Sequence, residues 1–158
     1  DAAGLYLFPG LIDAHVHFRD PGFTRKEDFA TGSRAALYGG MTYVVDMPNV
    51  NPVTSTAQRL RARMERARRE ACLEMGFFAL LTSDNLEEMA KLKQAGAVGF
   101  KIYLGTSVGE IAAPADGVML EQFSRAARMG MRMVRSHKES MVSERPRPSL
   151  PMARAQRS

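Results

Sequence analysis

The chain alternates short apolar runs with amphipathic segments. Five apolar runs predict strands over residues 10–18, 41–49, 72–81, 97–104 and 131–137. The segments between them carry apolar residues at helical spacing and predict helices over 26–40, 59–70, 83–96 and 115–130. Gly39, Gly96 and Gly130 stand where helices usually end. We expect Thr54 or Ser55 to cap the second helix.

Strands that alternate with helices predict a parallel α/β sheet built from right-handed βαβ units. Two architectures satisfy this pattern, a doubly wound sheet and a (β/α)8 barrel. A closed barrel takes about 250 residues and seldom fewer than about 200, whereas this chain has 158. A barrel of this length would stop near its fifth strand, and the periodicity alone does not choose between the two folds.

The composition narrows the classes of protein. No apolar run approaches the roughly 20 residues that a membrane span needs. The single cysteine, Cys72, excludes an internal disulfide and indicates a reducing compartment, so we expect a cytoplasmic protein. The chain opens on Asp1 without a signal-peptide pattern, and we expect that a preceding segment is missing.

The net charge of +5 comes mainly from the segment 59–70, which holds six arginines and two glutamates. Apolar residues recur there at helical spacing: Leu60, Met64 and Ala67. The arginines should therefore fall largely on the outward, solvated face of a helix. The alternative is a nucleic-acid surface, whose salt-sensitive binding would depend on Arg59, Arg63 and Arg66.

The first predicted strand has one polar face and one apolar face. Side chains alternate along a strand, which places Leu11, Asp13, His15 and His17 on one side and Ile12, Ala14, Val16 and Phe18 on the other. The apolar set is expected to pack against helices. Two imidazoles on the polar face can converge on one metal ion. The alternative is a pair of hydrogen-bonded or exposed histidines.

Two further basic residues lie near the ends of predicted strands. Lys101 shares a strand face with Tyr103, and its alternatives are a pairing with an acid or a side chain that reaches solvent. A cationic surrounding would instead lower its pKa and leave a reactive neutral amine. His137 closes the fifth strand. All three histidines thus lie at the carboxyl ends of strands, where barrel enzymes place their active sites.

Four motifs carry a family resemblance: PGLIDAHVHFRDPG, KEDFATGSRAALYGGMTYVVDMPN, GFKIYLGTS and HKE. In order and spacing they resemble the amidohydrolase superfamily and, within it, the dihydroorotases. The resemblance covers essentially the whole chain. It implies a single partial domain over 1–158, an incomplete TIM-type (β/α)8 barrel with roughly its first five parallel β/α units. Residues 1–9 would be the lead-in from a preceding β domain, and the barrel would be truncated after the fifth strand.

The resemblance also implies a site with two zinc ions. His15 and His17 would bind the first ion and His137 the second, while a carboxylated Lys101 would bridge both. A bridging water, acidified by the metals, would attack the ring amide carbon. The family's remaining histidine and its proton-carrying aspartate would lie beyond residue 158, so no catalytic acid is assigned in this chain.

Arg19 and Asn49 match the positions that hold the substrate carboxylate in dihydroorotases. A guanidinium and an amide can both donate hydrogen bonds to a carboxylate. The alternatives are a surface salt bridge from Arg19 to Asp20 or Glu27, and a simple turn role for Asn49 after Pro48.

The implied activity is the interconversion of N-carbamoyl-L-aspartate and dihydroorotate in pyrimidine biosynthesis, with this fragment expected to be inactive. Arg19 and Asn49 favour it over an allantoinase or a dihydropyrimidinase or hydantoinase. A non-catalytic dihydroorotase-like scaffold is a further alternative. The expected partner is a small-molecule substrate, with neither nucleic acid nor membrane. An open half-barrel has two unpaired sheet edges, which leaves homo-oligomerisation open.

Overall fold

The computed structural model describes residues 3–105 and 111–136. The strands are β1 (Leu11–Val16), β2 (Met41–Asp46), β3 (Glu74–Leu80), β4 (Gly99–Tyr103) and β5 (Arg132–Ser136). The α-helices are α1 (Phe29–Tyr38), α2 (Ala57–Glu70), α3 (Met89–Gln94) and α4 (Asp116–Arg128). A short 3-10 helix, Leu86–Glu88, leads directly into α3. The predicted order of elements is confirmed, and their bounds shift by a few residues.

The five strands form one parallel sheet in the order β1-β2-β3-β4-β5. Each strand pairs with the next one along the chain. A doubly wound sheet reverses its strand order at a switch point, and this sheet has no reversal. The strands curl into a half-barrel, which confirms the incomplete TIM-type barrel.

The two faces of the sheet have different surroundings. On β3, Phe77 and Ala79 belong to the large core that also contains Leu60 of α2 and Leu92 of α3. The intervening Phe78 belongs to a smaller cluster made of strand residues and their flanks. Successive side chains of a strand point to opposite faces. The helices therefore cover the outer face, and the inner face is left for the residues of the half-barrel interior.

Polar side chains set where the first two helices begin. The Asp28 carboxylate accepts a hydrogen bond from the backbone N–H of Thr31 at 2.7 Å and caps α1. Thr56 caps α2 by accepting from the N–H of Arg59. The predicted caps Thr54 and Ser55 were wrong by one or two positions, since both side chains are buried under the helix start instead.

The prediction for the apolar face of β1 was partly wrong. Val16 and Phe18 pack into the main core as expected. Ile12 is 68% exposed, and Ala14 is exposed as well. Within the described residues β1 pairs with β2 alone and forms the edge of the sheet. The first half of this edge strand thus lacks the helix cover that the alternation rule assumed.

The outward placement of the arginines on α2 is confirmed except at one position. Arg59, Arg61, Arg68 and Arg69 are exposed. Arg63 is 3% exposed. It lies on the same helical stripe as Leu60 and Ala67, three and four residues away, and so faces the core. Its assignment to an exposed nucleic-acid surface was therefore wrong.

Carboxylates offset several of the exposed arginines. Glu65 pairs with both Arg68 and Arg69, and Arg66 pairs with Glu70 and with the buried Asp20. Such pairing is typical of a solvated helix face. Within residues 3–105 and 111–136, no helix combines the length and the apolar character that crossing a bilayer requires.

We predict that Gly32→Ala destabilises the fold although it adds a better helix former. A Cβ at Gly32 would lie 2.6 Å from Cδ1 of the buried Phe18 ring. Overpacking of this kind costs about 1–3 kcal/mol, which exceeds the gain in helix propensity of about 1 kcal/mol. Urea denaturation should therefore show a lower free energy of unfolding than in the wild type.

Gly117→Ala in α4 is the matched control, because a Cβ there would have no atom within 4 Å. It should raise the free energy of unfolding by up to about 1 kcal/mol. Equal stabilisation by both substitutions would contradict the packing argument.

Candidate active site

His15 and His17 come together at the carboxyl end of β1. His15 lies within the strand, and His17 follows its last residue, Val16. The centroids of the two rings are 5.3 Å apart, and the ring planes are tilted by 46°. At this separation one nitrogen from each ring can approach the same ion. The structure thus brings together the two predicted ligands of the first metal.

Both imidazoles are held in their neutral form. Burial lowers the pKa of His15, with the charge of Lys101 adding to the effect. Burial and then the Arg19 guanidinium lower the pKa of His17 from 6.5 to about 4, while the side chain of Asn49 opposes the shift. Neutral imidazole is the form that binds metal ions. Metal binding near neutral pH would therefore displace no proton from either ring.

Lys101 lies in the middle of β4 with 1% of its surface exposed. Its Nζ is 5.3 Å from the centroid of the Tyr103 ring, and no carboxylate of the described residues forms an ion pair with it. The alternative of a solvent-reaching side chain was thus wrong, and no acid among residues 3–105 and 111–136 is the partner of Lys101. Burial lowers the pKa of Lys101. Its charge also lowers the pKa of His15 and of His17.

Arg19 and Asn49 come from two different loops and both act on His17. Arg19 follows β1 and has a φ of 56°, the left-handed region that costs a residue other than glycine of order 1–3 kcal/mol. Asn49 follows β2, is 5% exposed, and contacts His17. Backbone strain of this kind is concentrated at functional sites. Both predicted substrate-binding residues thus lie beside the predicted metal ligands.

The alternative of a surface salt bridge for Arg19 was wrong. Within the described part of the chain, the Asp20 carboxylate is fully buried and pairs with Arg66 at 2.9 Å. The Glu27 carboxylate accepts hydrogen bonds from the Thr31 hydroxyl and from the backbone N–H of Asp28. Neither acid forms an ion pair with Arg19, whose charge instead acts on His17.

The donor set fits a zinc site. The Nδ1 of His17 is buried and lacks a hydrogen bond of normal geometry to any described residue. Residues 3–105 and 111–136 contain no cluster of three or more histidine, cysteine or acidic ligands. The available donors are two neutral imidazoles, which suit zinc, and the buried Lys101 is the further residue whose amine could become a ligand after carboxylation. The predicted ligand His137 lies outside the described residues.

Two buried residues beneath the site were not predicted as functional. Asp46 ends β2 and pairs with Arg63 of α2 at 2.6 Å. Burial raises the pKa of Asp46 to about 6, while Arg63 and the backbone N–H of Phe18 oppose the rise. The sequence indicated that Arg63 is buried, because it shares the helical stripe of Leu60. It did not indicate the partners of Arg63, which are distant along the chain.

A parallel half-barrel with basic and amide groups gathered at the carboxyl ends of its strands defines a barrel enzyme of the TIM type. A model of the amidohydrolase family matches residues 6–134, and the chain belongs to this family.

Three relatives illustrate the match. The dihydroorotase of Enterococcus faecalis is 40% identical over 138 residues, which cover 85% of this chain and 31% of the relative. An allantoinase of Desulfitobacterium hafniense is 37% identical and covers 83% of this chain and 30% of the relative. The structure of an L-hydantoinase (dihydropyrimidinase) from Arthrobacter aurescens has a TM-score of 0.77 at 30% identity, over 80% of this chain and 29% of that one. The chain thus spans less than a third of each of these three proteins.

We predict that metal-free protein loses stability in acid through His17. The folded state holds this imidazole neutral down to about pH 4, whereas the unfolded chain takes up the proton near pH 6.5. Its contribution to stability is therefore fully present above pH 6.5 and is lost as the pH falls toward 4. Urea midpoints measured with chelator across this range should fall with pH more steeply in the wild type than in His17→Asn. Equal slopes in the two proteins would contradict the shifted pKa.

Proposed function

We propose that this chain forms part of the active site of a dihydroorotase-like enzyme, which interconverts N-carbamoyl-L-aspartate and dihydroorotate in pyrimidine biosynthesis. The observation that carries the proposal is that Arg19 and Asn49, from the loops after β1 and β2, both act on the His17 imidazole. We call these two residues the carboxylate clamp. A guanidinium and a primary amide next to a metal-ligand imidazole suit a cyclic amide that also bears a carboxylate.

The carboxylate clamp would distinguish dihydroorotate from related cyclic amides. Dihydrouracil and hydantoins have no carboxylate at the corresponding place and give an arginine nothing to bind. The similarity to dihydroorotases at 40–46% identity supports the same choice. Cytoplasmic location, which the single cysteine favours, is part of the proposal.

We further propose that His15, His17, His137 and a carboxylated Lys101 hold two zinc ions. Zinc bound at this place would polarise the ring amide carbonyl and lower the pKa of water. The lysine meets the chemical need for carboxylation. Its lowered pKa favours the neutral amine, whose nitrogen lone pair forms the new N–C bond with carbon dioxide as the amine proton is lost. The clamp would then hold the substrate ring with its amide toward the two imidazoles.

Two other functions are alternatives to this proposal, an allantoinase and a non-catalytic scaffold. An allantoinase is supported by relatives such as the Desulfitobacterium protein, and it would act on a ring that lacks the dihydroorotate carboxylate. A non-catalytic scaffold would have no use for the metal ligands, whereas His15, His17 and Lys101 are close together in this chain. Metal analysis of the purified protein separates a scaffold from an enzyme, because a scaffold should hold no zinc.

We predict that Arg19→Met removes the preference for a carboxylate. Titration calorimetry on zinc-loaded wild type should show tighter binding of dihydroorotate than of dihydrouracil, which has the same ring without the carboxylate. Loss of a hydrogen bond to a charged group should weaken dihydroorotate binding roughly tenfold or more and leave dihydrouracil unaffected. Asn49→Ala should act in the same direction.

Arg25→Met is the matched control for the clamp, because Arg25 is exposed in the same β1–α1 connection. It should bind both ligands as the wild type does. A wild type that binds the two ligands equally would overturn the dihydroorotase proposal and favour another cyclic amidase.

We predict that Lys101→Met loses both the carbamate and bound zinc. Protein incubated with ¹³C-bicarbonate and zinc should show a carbamate carbon signal by NMR in the wild type and none in the variant. Zinc per chain should fall in parallel, since the bridging ligand is gone. Lys26→Met, at an exposed lysine, is the control and should keep both properties. Unchanged zinc content in Lys101→Met would contradict the bridging role.

A further inference from the structure

We propose that Arg63 is a positioning residue that sets the preference for a carboxylate-bearing substrate. It fixes the distance between the loop that carries Arg19 and the loop that carries Asn49. The inference rests on the proposed clamp and goes beyond it, because Arg63 itself lies in the core and would not contact the substrate.

The guanidinium of Arg63 bonds to the backbone of both loops. Its Nε donates to the carbonyl of Asp20 at 2.8 Å, and its Nη1 donates to the carbonyl of Met47 at 2.9 Å. Asp20 is the residue directly after Arg19, and Met47 comes two residues before Asn49. One rigid planar group therefore bonds to the backbone near Arg19 and to the backbone near Asn49.

Two further contacts orient this guanidinium. Its Nη2 bonds to the Asp46 carboxylate at 2.6 Å, and its Nη1 also donates to the Thr54 hydroxyl at 3.2 Å. The other oxygen of Asp46 accepts from the backbone N–H of Phe18 at 3.2 Å. The charge pair thereby connects the chain on the amino side of Arg19 to the end of β2.

Two aromatic rings of the core also lie against the guanidinium of Arg63. Its central carbon lies 5.8 Å from the Phe29 ring centroid and 5.3 Å from that of Phe77. Stacking on aromatic rings together with a fork of fixed donors is a property of arginine that lysine does not share. A lysine at this position could keep the charge but could not serve all four acceptors.

The two loops also touch each other directly. The backbone N–H of Asn51 donates to the carbonyl of Pro21 at 3.0 Å. Gly22 has a φ of 95°, and a Cβ there would lie 2.3 Å from the Asn51 carbonyl oxygen. The two loops are therefore in close contact with each other. A shift of one loop would change its distance from the other loop.

If Arg63 served only the stability of the fold, its substitution would have a different effect on ligand binding. Removal of one partner of a buried ion pair lowers stability whatever else the pair does, so a loss of stability would not by itself show a role in positioning. Damage to the fold would weaken the binding of every ligand alike. Displacement of the clamp would weaken only a ligand that carries the carboxylate.

The test compares Arg63→Lys with Arg61→Lys, the same substitution at an exposed position of the same helix. Both variants are loaded with zinc, and the binding of dihydroorotate and of dihydrouracil is measured by titration calorimetry. For Arg63→Lys we expect dihydroorotate to bind about tenfold more weakly and dihydrouracil to stay within roughly twofold of the wild type. Arg61→Lys should match the wild type with both ligands.

Thr54→Val provides a second test that keeps the ion pair and removes a single acceptor of Arg63. It should reduce the preference for dihydroorotate in the same direction by about twofold to threefold, which keeps the inference testable if Arg63→Lys does not fold. Equal weakening of both ligands, or an unchanged preference in either variant, would overturn the positioning role. A wild type without any preference for dihydroorotate would show instead that the clamp itself fails, and the positioning role would fall with it.

Discussion

The buried ion pair between Arg63 and Asp46 is the interaction on which the rest of the described structure depends. The two side chains are 2% and 0% exposed, and their closest atoms are 2.6 Å apart. Removal of one partner from such a pair costs about 3–5 kcal/mol, because the other charge stays buried and uncompensated. Since the same guanidinium also bonds to the loops after β1 and β2, helix α2, strand β2 and the chain beyond His17 behave as one unit.

Buried amides extend this arrangement across the half-barrel. Asn85 donates to the carbonyls of Ser55 at 3.0 Å and Leu80 at 2.8 Å, and so joins the start of α2 to the end of β3. Gln122 of α4 donates to the carbonyl of Thr82 at 2.7 Å. Backbone carbonyls that turn away from a sheet need partners. The Asn85 amide, from the loop before α3, and the Gln122 amide of α4 provide them for the carbonyls of Ser55, Leu80 and Thr82.

The sequence pattern predicted what depends on local periodicity. Strand order follows from the alternation of elements, and the inward position of Lys101 follows from the two-residue period of a strand. The helical stripe shared with Leu60 indicated the burial of Arg63, but its partners Asp46 and Asp20 could not be found in this way, because they are 17 and 43 residues away along the chain. The exposure of Ile12 was missed for the same reason, since it depends on which elements lie beside the edge strand. Tertiary contacts, and not local propensity, determine the partners of Arg63 and the exposure of Ile12.

Positive charge is concentrated around the two imidazoles. His15, His17 and Lys101 are close enough for the lysine charge to disfavour protonation of both rings, and Arg19 acts on His17 in the same sense. Within the described residues no carboxylate forms an ion pair with Lys101 or Arg19. Carboxylation would replace the charge of Lys101 by that of a carbamate, and Arg19 would remain as the cation that a substrate carboxylate can meet. Coulomb attraction at short range in a partly buried site exceeds that in water. The proposed preference for a carboxylate-bearing ring over a neutral one would thus rest on the charge of Arg19 as well as on the fit of the clamp.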